Sequence, residues 1–299
     1  MLTFGDLYDI FIPFKIEKIS VGSFDGIHLG HRAIISRIAE KGALCTFHPH
    51  PRSFIEGENF KLLTPLREKF EIFEKMGLKN VIFLRFNERL RKTSAEAFIR
   101  ILKEKTGFKK MIMGEDHHFG KDKQGDFKLM QYLSMKYNFE VEIVENVKID
   151  GFTVKTSLIK ELLLKGEISF ANKLLGRPYE IRGRVVEGAK IGGKIGFPTA
   201  NIDVPKDKFL PKEGVYAGKI KLDKTYPCMI NIGKKTIPVE KFSVELHIIG
   251  FKGNLLGKEI KFELLSFLRD IKKFEKVEDL KEQLKEDKKK VEELCVKIL

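Results

Sequence analysis

Residues Gly22 to Arg32 read GSFDGIHLGHR. The stretch follows a strand-like run, Lys15 to Val21, and opens a helix-like run, Leu29 to Lys41, so it lies where a strand turns into a helix. In open α/β sheets ligands bind at that junction, because unpaired amides at the helix start point outward and favour an anion. His28 and His31 stand three residues apart, on one helix face, and Gly30 between them lets a phosphate approach the backbone. A bare HxxH is an ordinary capped helix start with two exposed histidines. Gly22, Phe24, Asp25, Gly26, His28, Gly30 and His31 together read as a phosphate clamp.

Outward from that turn, the apolar pattern to about Val147 switches between short β runs and longer helical ones. Strands are predicted at Lys15 to Val21, Ala43 to His48, Asn80 to Phe86, Lys109 to Met113 and Glu140 to Val147. Between them fit helices at Leu29 to Lys41 stopped by Gly42, Thr64 to Met76 stopped by Gly77, Ser94 to Thr106 stopped by Gly107, and Gln124 to Tyr137. Thr64 and Ser94 suit N-caps and the glycines suit C′ positions. Such βαβ alternation implies a parallel, doubly wound sheet with its active residues after the strand ends.

Three more loops meet that rule: FHPHPRSF, Phe47 to Phe54; GEDHHFGKDKQG, Gly114 to Gly125; and KTSLIK, Lys155 to Lys160. Thr156, Ser157 and Lys160 can donate to phosphates, or can simply cap a helix. Six of the seven histidines fall in this half. They keep a metal hydrolase in view as an alternative, although no HExxH is present.

Beyond GRPY, Gly176 to Tyr179, the chain reads as successive strands with Gly and Pro turns, which indicates an antiparallel barrel or sandwich. The strands are predicted at Tyr179 to Val186, Gly214 to Leu222, Tyr226 to Ile232, Glu240 to Phe251 and Glu259 to Leu268, with a packed amphipathic helix at Val277 to Val296. Ile159 to Leu175 reads as one helical run leading into them. The most informative piece is GAKIGGKIGFPTANI, Gly188 to Ile202. Its glycines, Gly188, Gly193 and Gly196 among them, with Lys190 and Lys194, form a loop whose amides can approach an anion. Thr199 and Asn201 share a face in an extended segment, where a hydroxyl and an amide oxygen can ligate Mg²⁺. On Phe242 to Ile248, Ser243, Glu245 and His247 share the polar face. Glu245 suits the removal of a proton from a substrate hydroxyl if that face lines a cleft, and is otherwise a solvated strand residue.

At 299 residues and 42% hydrophobic content the chain suits two domains. Cys45, Cys228 and Cys295 are widely separated and without a CxxC, a cytosolic pattern that disfavours disulfides and zinc knuckles. Charges interrupt the N-terminal run, and no stretch is apolar for membrane-spanning length, so the expectation is a cytoplasmic protein without membrane contact. The net charge of +14 raises nucleic acid or anionic small molecules as partners. The charge-dense tail, Lys272 to Leu299, holds nine lysines against eight acidic residues, and no RNA-binding or zinc-finger signature accompanies it, so specific nucleic-acid binding is not expected.

GSFDGIHLGHR, TFHPHPRSF and GEDHHFGKDKQGD in the first half, with LLGRPYEIRGRVVEGAKIGGKIGFPTANI, FLPKEGVYAG, VELHIIGF and FLRDIKKF in the second, resemble the prokaryotic bifunctional riboflavin kinase/FAD synthetase family along nearly the whole chain. The resemblance implies a Rossmann-like nucleotidyltransferase domain at 1–158 and a β-barrel riboflavin kinase domain with a C-terminal helix at 159–299. It implies riboflavin, FMN and ATP as substrates, with Mg²⁺ arriving on the nucleotide. His28 and His31 would then act on the ATP phosphates, Ser157 and Lys160 on the pyrophosphate, Asp116, Phe119 and Arg269 on flavin, and Glu245 as the kinase base. Where the family usually has Ser-Ser-Thr-x-Ile-Arg, this chain has Lys155 to Lys160, and lysine cannot reproduce a bidentate guanidinium contact. Lys234, Lys235 and Thr236 stand in place of Arg-Pro-Thr, and Gly250 in place of Asp.

Overall fold

The computed structural model describes residues 2–38, 41–121, 124–188, 191–234 and 242–296. The chain divides into two compact units, Met1–Thr156 and Ser157–Leu299. In the first, strands β1 (Leu2–Gly5), β2 (Lys18–Val21), β3 (Gly42–His48), β4 (Val81–Arg85), β5 (Lys110–Gly114) and β6 (Glu140–Val144) form one parallel sheet in the order β1-β4-β3-β2-β5-β6. Helices α1 (Leu29–Ser36), α2 (Pro51–Glu56), α3 (Leu66–Lys75), α4 (Glu88–Arg91), α5 (Ala95–Thr106) and α6 (Phe127–Tyr137) connect the strands. Two apolar clusters sandwich the sheet, one drawing Ile35, Ile72 and Phe73 from α1 and α3, the other Phe98, Leu102, Met130 and Leu133 from α5 and α6. Strand order reverses between β2 and β5, and the crevice beyond their carboxyl ends is where an open α/β sheet binds its ligand.

Most elements form where hydrophobic period and caps predict them, and the departures have local causes. Ser94 caps α5 and Gly107 ends it in the left-handed region, whereas α3 starts at Leu66 with Pro65 at the N-cap, and the Thr64 amide is used elsewhere. Gly42 does not terminate α1, which ends at Ser36; it opens β3, where a Cβ would sit 2.0 Å from the Ile38 side chain. β1, α2 and α4 were not predicted. β1 is a four-residue edge strand held by parallel pairing to β4, a non-local cause that its own residues do not encode. A hairpin, β7 (Lys148–Ile149) with β8 (Phe152–Thr153), leads to α7 (Thr156–Lys165).

The run predicted as one helix from Ile159 to Leu175 is two helices, α7 and α8 (Ile168–Leu175), broken at Gly166 with φ +80°. In the second unit β9 (Tyr179–Val186), β10 (Ala200–Asp203), β11 (Gly214–Lys221), β12 (Thr225–Lys234), β13 (Phe242–Ile248) and β14 (Glu259–Arg269) close a barrel in the order β10-β13-β12-β11-β14-β9, all antiparallel. β10 and the one-turn α9 (Ile191–Lys194) fall within the segment read as a glycine loop. Along β13, Val244, Leu246 and Ile248 are buried while Ser243, Glu245 and His247 alternate with them. The final helix, α10 (Val277–Val296), packs Val291 and Cys295 against Ala217, Met229 and Leu265 on the barrel's outer face. Each buried aliphatic side chain there contributes roughly 1.5–3 kcal/mol relative to exposure.

Candidate functional site

In the first unit a cleft of about 730 Å³ opens at the β2/β5 switch point, lined by Gly22, Ser23, Phe24, His28, Gly30 and His31 at one end. The turn that delivers them is held in sparsely populated backbone: Phe24 at φ 47° and Ile27 at φ 43° are left-handed without being glycine, and Gly26 is at φ 89°. Such residues typically cost about 1–3 kcal/mol each, so the surroundings must over-determine them. The buried Asp25 does part of this: its Oδ1 accepts from the Thr64 amide at 3.0 Å, and its carbonyl accepts from Thr156 Oγ1 at 3.0 Å. Asp25 thus orders the turn from inside. The Thr156 hydroxyl, read from sequence as a phosphate donor, spends its proton on Asp25.

His28 is the N-cap of α1, its Nδ1 accepting from the His31 amide at 3.3 Å. A ring nitrogen that accepts an N–H keeps its lone pair, so a neutral His28 carries its proton on Nε2, as a donor. The two imidazoles stack with centroids 3.6 Å apart, and Phe24 meets His31 edge-on at 5.3 Å. Gly30 is required by this packing: a Cβ there would stand 3.2 Å from the His28 ring and 3.4 Å from the Val154 carbonyl.

Four phenylalanines, Phe47, Phe86, Phe98 and Phe119, also line the cleft. Phe119 is buried, stacks near His117 and bridges back to Gly125. Burial, with His118 adding like charge, pushes the His117 imidazole down to about 4, so it is neutral at physiological pH. Asp116 lines the cleft in a salt bridge to Lys155 at 2.6 Å, and that hydrogen bond holds its carboxyl below the usual range. Among the described residues no group of His, Cys, Asp and Glu is arranged to hold a metal ion. The histidines serve other purposes: His28 and His50 cap helices, and His50 stacks on Phe60. Ser157 and Lys160 are not in the cleft lining, which ends at Thr156; they fall in the second unit, where Lys160 Nζ lies 5.2 Å from the Phe209 ring centroid.

In the second unit the barrel register assembles the other constellation. Asn201 on β10 pairs directly with Glu245 on β13, and Glu245 pairs with Asn231 on β12, so the three side chains form a row across adjacent strands. Asn231 was not singled out from sequence, because only the register brings it beside Glu245. Gly188 leaves room for this row: a Cβ on Gly188 would meet Asn201 Nδ2 at 1.8 Å, whereas one on Gly192 would meet the Phe197 carbonyl at 2.2 Å. His247, next on the Glu245 face, hydrogen-bonds the Pro198 carbonyl through Nδ1 at 2.8 Å. Gly196 takes φ +87°, and a Cβ on Gly193 would meet nothing within 4 Å. Lys190, Lys235 and Thr236 lie outside the described residues. Arg269, expected from the resemblance to reach flavin, directs Nε and Nη2 to the fully buried Asp287 at 2.7–3.1 Å and Nη1 to the Asp270 carbonyl. It pins α10 to the end of β14.

An open α/β unit with a histidine-lined cleft at its switch point and a barrel unit with a polar row across three strands fit the ATP-dependent group transferases. A family model described as FAD synthetase matches residues 15–158, and one described as riboflavin kinase matches residues 175–295. The chain is 33% identical over 279 residues to the bifunctional riboflavin kinase/FMN adenylyltransferase of Pseudomonas fluorescens, covering 90% of this chain and 89% of that one. It is 31% identical over 281 residues to the protein of that name from Escherichia coli, covering 90% of each. The chain belongs to the bifunctional riboflavin kinase/FMN adenylyltransferase family. A solved structure described as a macrolide-efflux protein from Streptococcus pneumoniae matches with a TM-score of 0.86 at 27% identity, over 96% of this chain and 97% of that one. Among the described residues of this chain, no helix is long and apolar enough to cross a membrane.

Proposed function

We propose that the second unit phosphorylates riboflavin with ATP, giving FMN and ADP, and that the first unit transfers AMP from a second ATP to FMN, giving FAD and pyrophosphate. The observation that carries the adenylyl step is the stacked His28–His31 pair at the start of α1, in a cleft that four phenylalanines also line. An FMN phosphate oxygen attacks the α-phosphorus in line; the P–O bond to the β-phosphate breaks and pyrophosphate leaves, with no covalent enzyme intermediate. His28 Nε2–H and the α1 amides stabilise the charge that grows on the phosphate oxygens, and Asp25 keeps the turn in place. The apolar wall around Phe119 suits a flavin ring, with Asp116 at its polar edge.

In the kinase unit, Glu245 accepts the proton of the ribityl 5′-hydroxyl as its oxygen attacks the γ-phosphorus and ADP departs. Gly188, Gly193 and Gly196 shape the loop that admits the nucleotide phosphates. Thr199 and Asn201 offer the hard oxygen donors that magnesium prefers, and the close approach of Gly188 to the Asn201 amide supports the preorganisation of Asn201. Magnesium arrives with ATP and neutralises phosphate charge. Cys45, Cys228 and Cys295 are buried free thiols, which supports a reducing, cytoplasmic setting.

Incubating the protein with riboflavin, ATP and Mg²⁺ and separating the flavins tests both steps. FMN should appear first and FAD after it; a protein that formed neither would overturn the reading.

A further inference from the structure

Lys69 is a buried amine that neither reaction uses. It lies on α3 one turn before Ile72 and Phe73, on the helix face that packs against the sheet, and it is 4% exposed. A lysine among apolar neighbours is unfavourable unless its charge is met, and an unbranched apolar side chain would fill the same space. Lys69 Nζ donates to the Ser23 carbonyl at 2.6 Å, and the Asp25 carboxylate attracts it. One turn earlier, the Thr64 amide holds Asp25. Thr64, just ahead of α3, and Lys69 on it therefore grip the Gly22–His28 turn at Asp25 and Ser23, on either side of the left-handed Phe24.

We propose that Lys69 is a positioning residue for adenylyl transfer, its ammonium holding the Ser23 carbonyl so that the strained turn presents His28 and His31 to the nucleotide. The inference rests on the adenylyltransferase reading of the first unit. It predicts a pH response. From the turn, the charged group acting on Lys69 is Asp25; on α3 the adjacent Glu68 is also buried, and the cluster on which α3 packs, Leu44, Val81 and Phe83 among it, is apolar. Burial lowers the amine to about 8, against the opposing pull of Asp25. As pH rises through that value the ammonium is lost, the bond to Ser23 weakens, and the turn loosens.

The test compares wild type, Lys69→Met and Lys69→Arg as full-length proteins, measuring adenylylation of added FMN from pH 6.5 to 10 with kcat and KM for ATP separated. Riboflavin phosphorylation is followed in the same samples. Wild type should lose kcat/KM for ATP as pH rises through about 8. Lys69→Met should be slower by about 10²-fold, the typical effect of misplacing a catalytic constellation, and should show no decline at that pH. Lys69→Arg, which stays charged, should recover much of the rate, with its decline displaced by at least a pH unit. Kinase activity should be unchanged throughout. Wild-type rate and pH profile in Lys69→Met, or an undisplaced decline in Lys69→Arg, would overturn the proposal. Should Lys69→Met lose its cooperative thermal transition, Lys69→Arg alone decides. A wild type that makes FMN but never FAD would instead overturn the adenylyltransferase reading itself.

Discussion

In the first unit the residues proposed to meet the nucleotide come from one continuous stretch, Gly22 to His31, and are held by a strained turn, a helix cap and contacts from Thr64 and Lys69. The row proposed for the second unit comes from three strands, β10, β12 and β13, aligned by barrel register, with Gly188 leaving room for Asn201. A turn of the first kind is stabilised locally but depends on a few buried polar contacts, so small changes beneath it should be felt at the site. A row of the second kind has no special backbone, and its side chains stay aligned as long as the barrel stays closed. Damage should therefore propagate differently: through loop geometry in one unit, through strand pairing and helix docking in the other.

The largest effect that would sharpen this contrast is expected at Glu245. Loss of a general base typically costs about 10² to 10⁴-fold, so Glu245→Gln should slow riboflavin phosphorylation by that factor with little change in KM. Adenylylation of added FMN should persist. If the variant phosphorylated riboflavin at the unmodified rate, the Asn201–Glu245–Asn231 row would be scaffolding. Next, His31→Ala removes a side chain proposed to act on the phosphates. FAD formation should fall by about 10² to 10³-fold, the usual cost of one stabilising donor, while FMN formation continues. Parallel loss of both activities in a folded variant would break the two-site picture.

A third change addresses what holds the barrel site. Asp287→Ala strands the Arg269 guanidinium against α10, and breaking one partner of a buried pair typically costs about 3–5 kcal/mol. Thermal denaturation should show the kinase activity lost at lower temperature, with the adenylylation activity surviving to its original limit. The smallest contrast lies within the glycine loop. Gly188→Ala must push the Asn201 amide aside and should slow the kinase by about tenfold, whereas Gly193→Ala, whose Cβ meets nothing, should stay within about twofold. Equal rates for the two variants, measured under saturating substrates, would show that the position of Asn201 does not matter.

Amino-acid order by itself determined the two-part architecture, since a period switching between 2 and 3.6 with Gly stops indicates βαβ units, and successive strands with Gly and Pro turns indicate an antiparallel barrel or sandwich, which the closed strand order resolves as a barrel. It also made the Gly22–Arg32 turn legible, because His28, Gly30 and His31 sit at a helix start that their own spacing encodes. Tertiary structure decided what depends on partners distant in the chain. β1 exists by pairing with β4, and Asn231 reaches Glu245 by register. Arg269 turns to Asp287, and Lys69 is drawn under the turn to Ser23. A lysine at the second turn of an amphipathic helix reads as solvated from its own neighbours, since only the packed sheet removes the water and only the turn supplies the acceptor. The split between α7 and α8 at Gly166 was likewise hidden, because both helices carry the same apolar period and one positive φ redirects the chain between them.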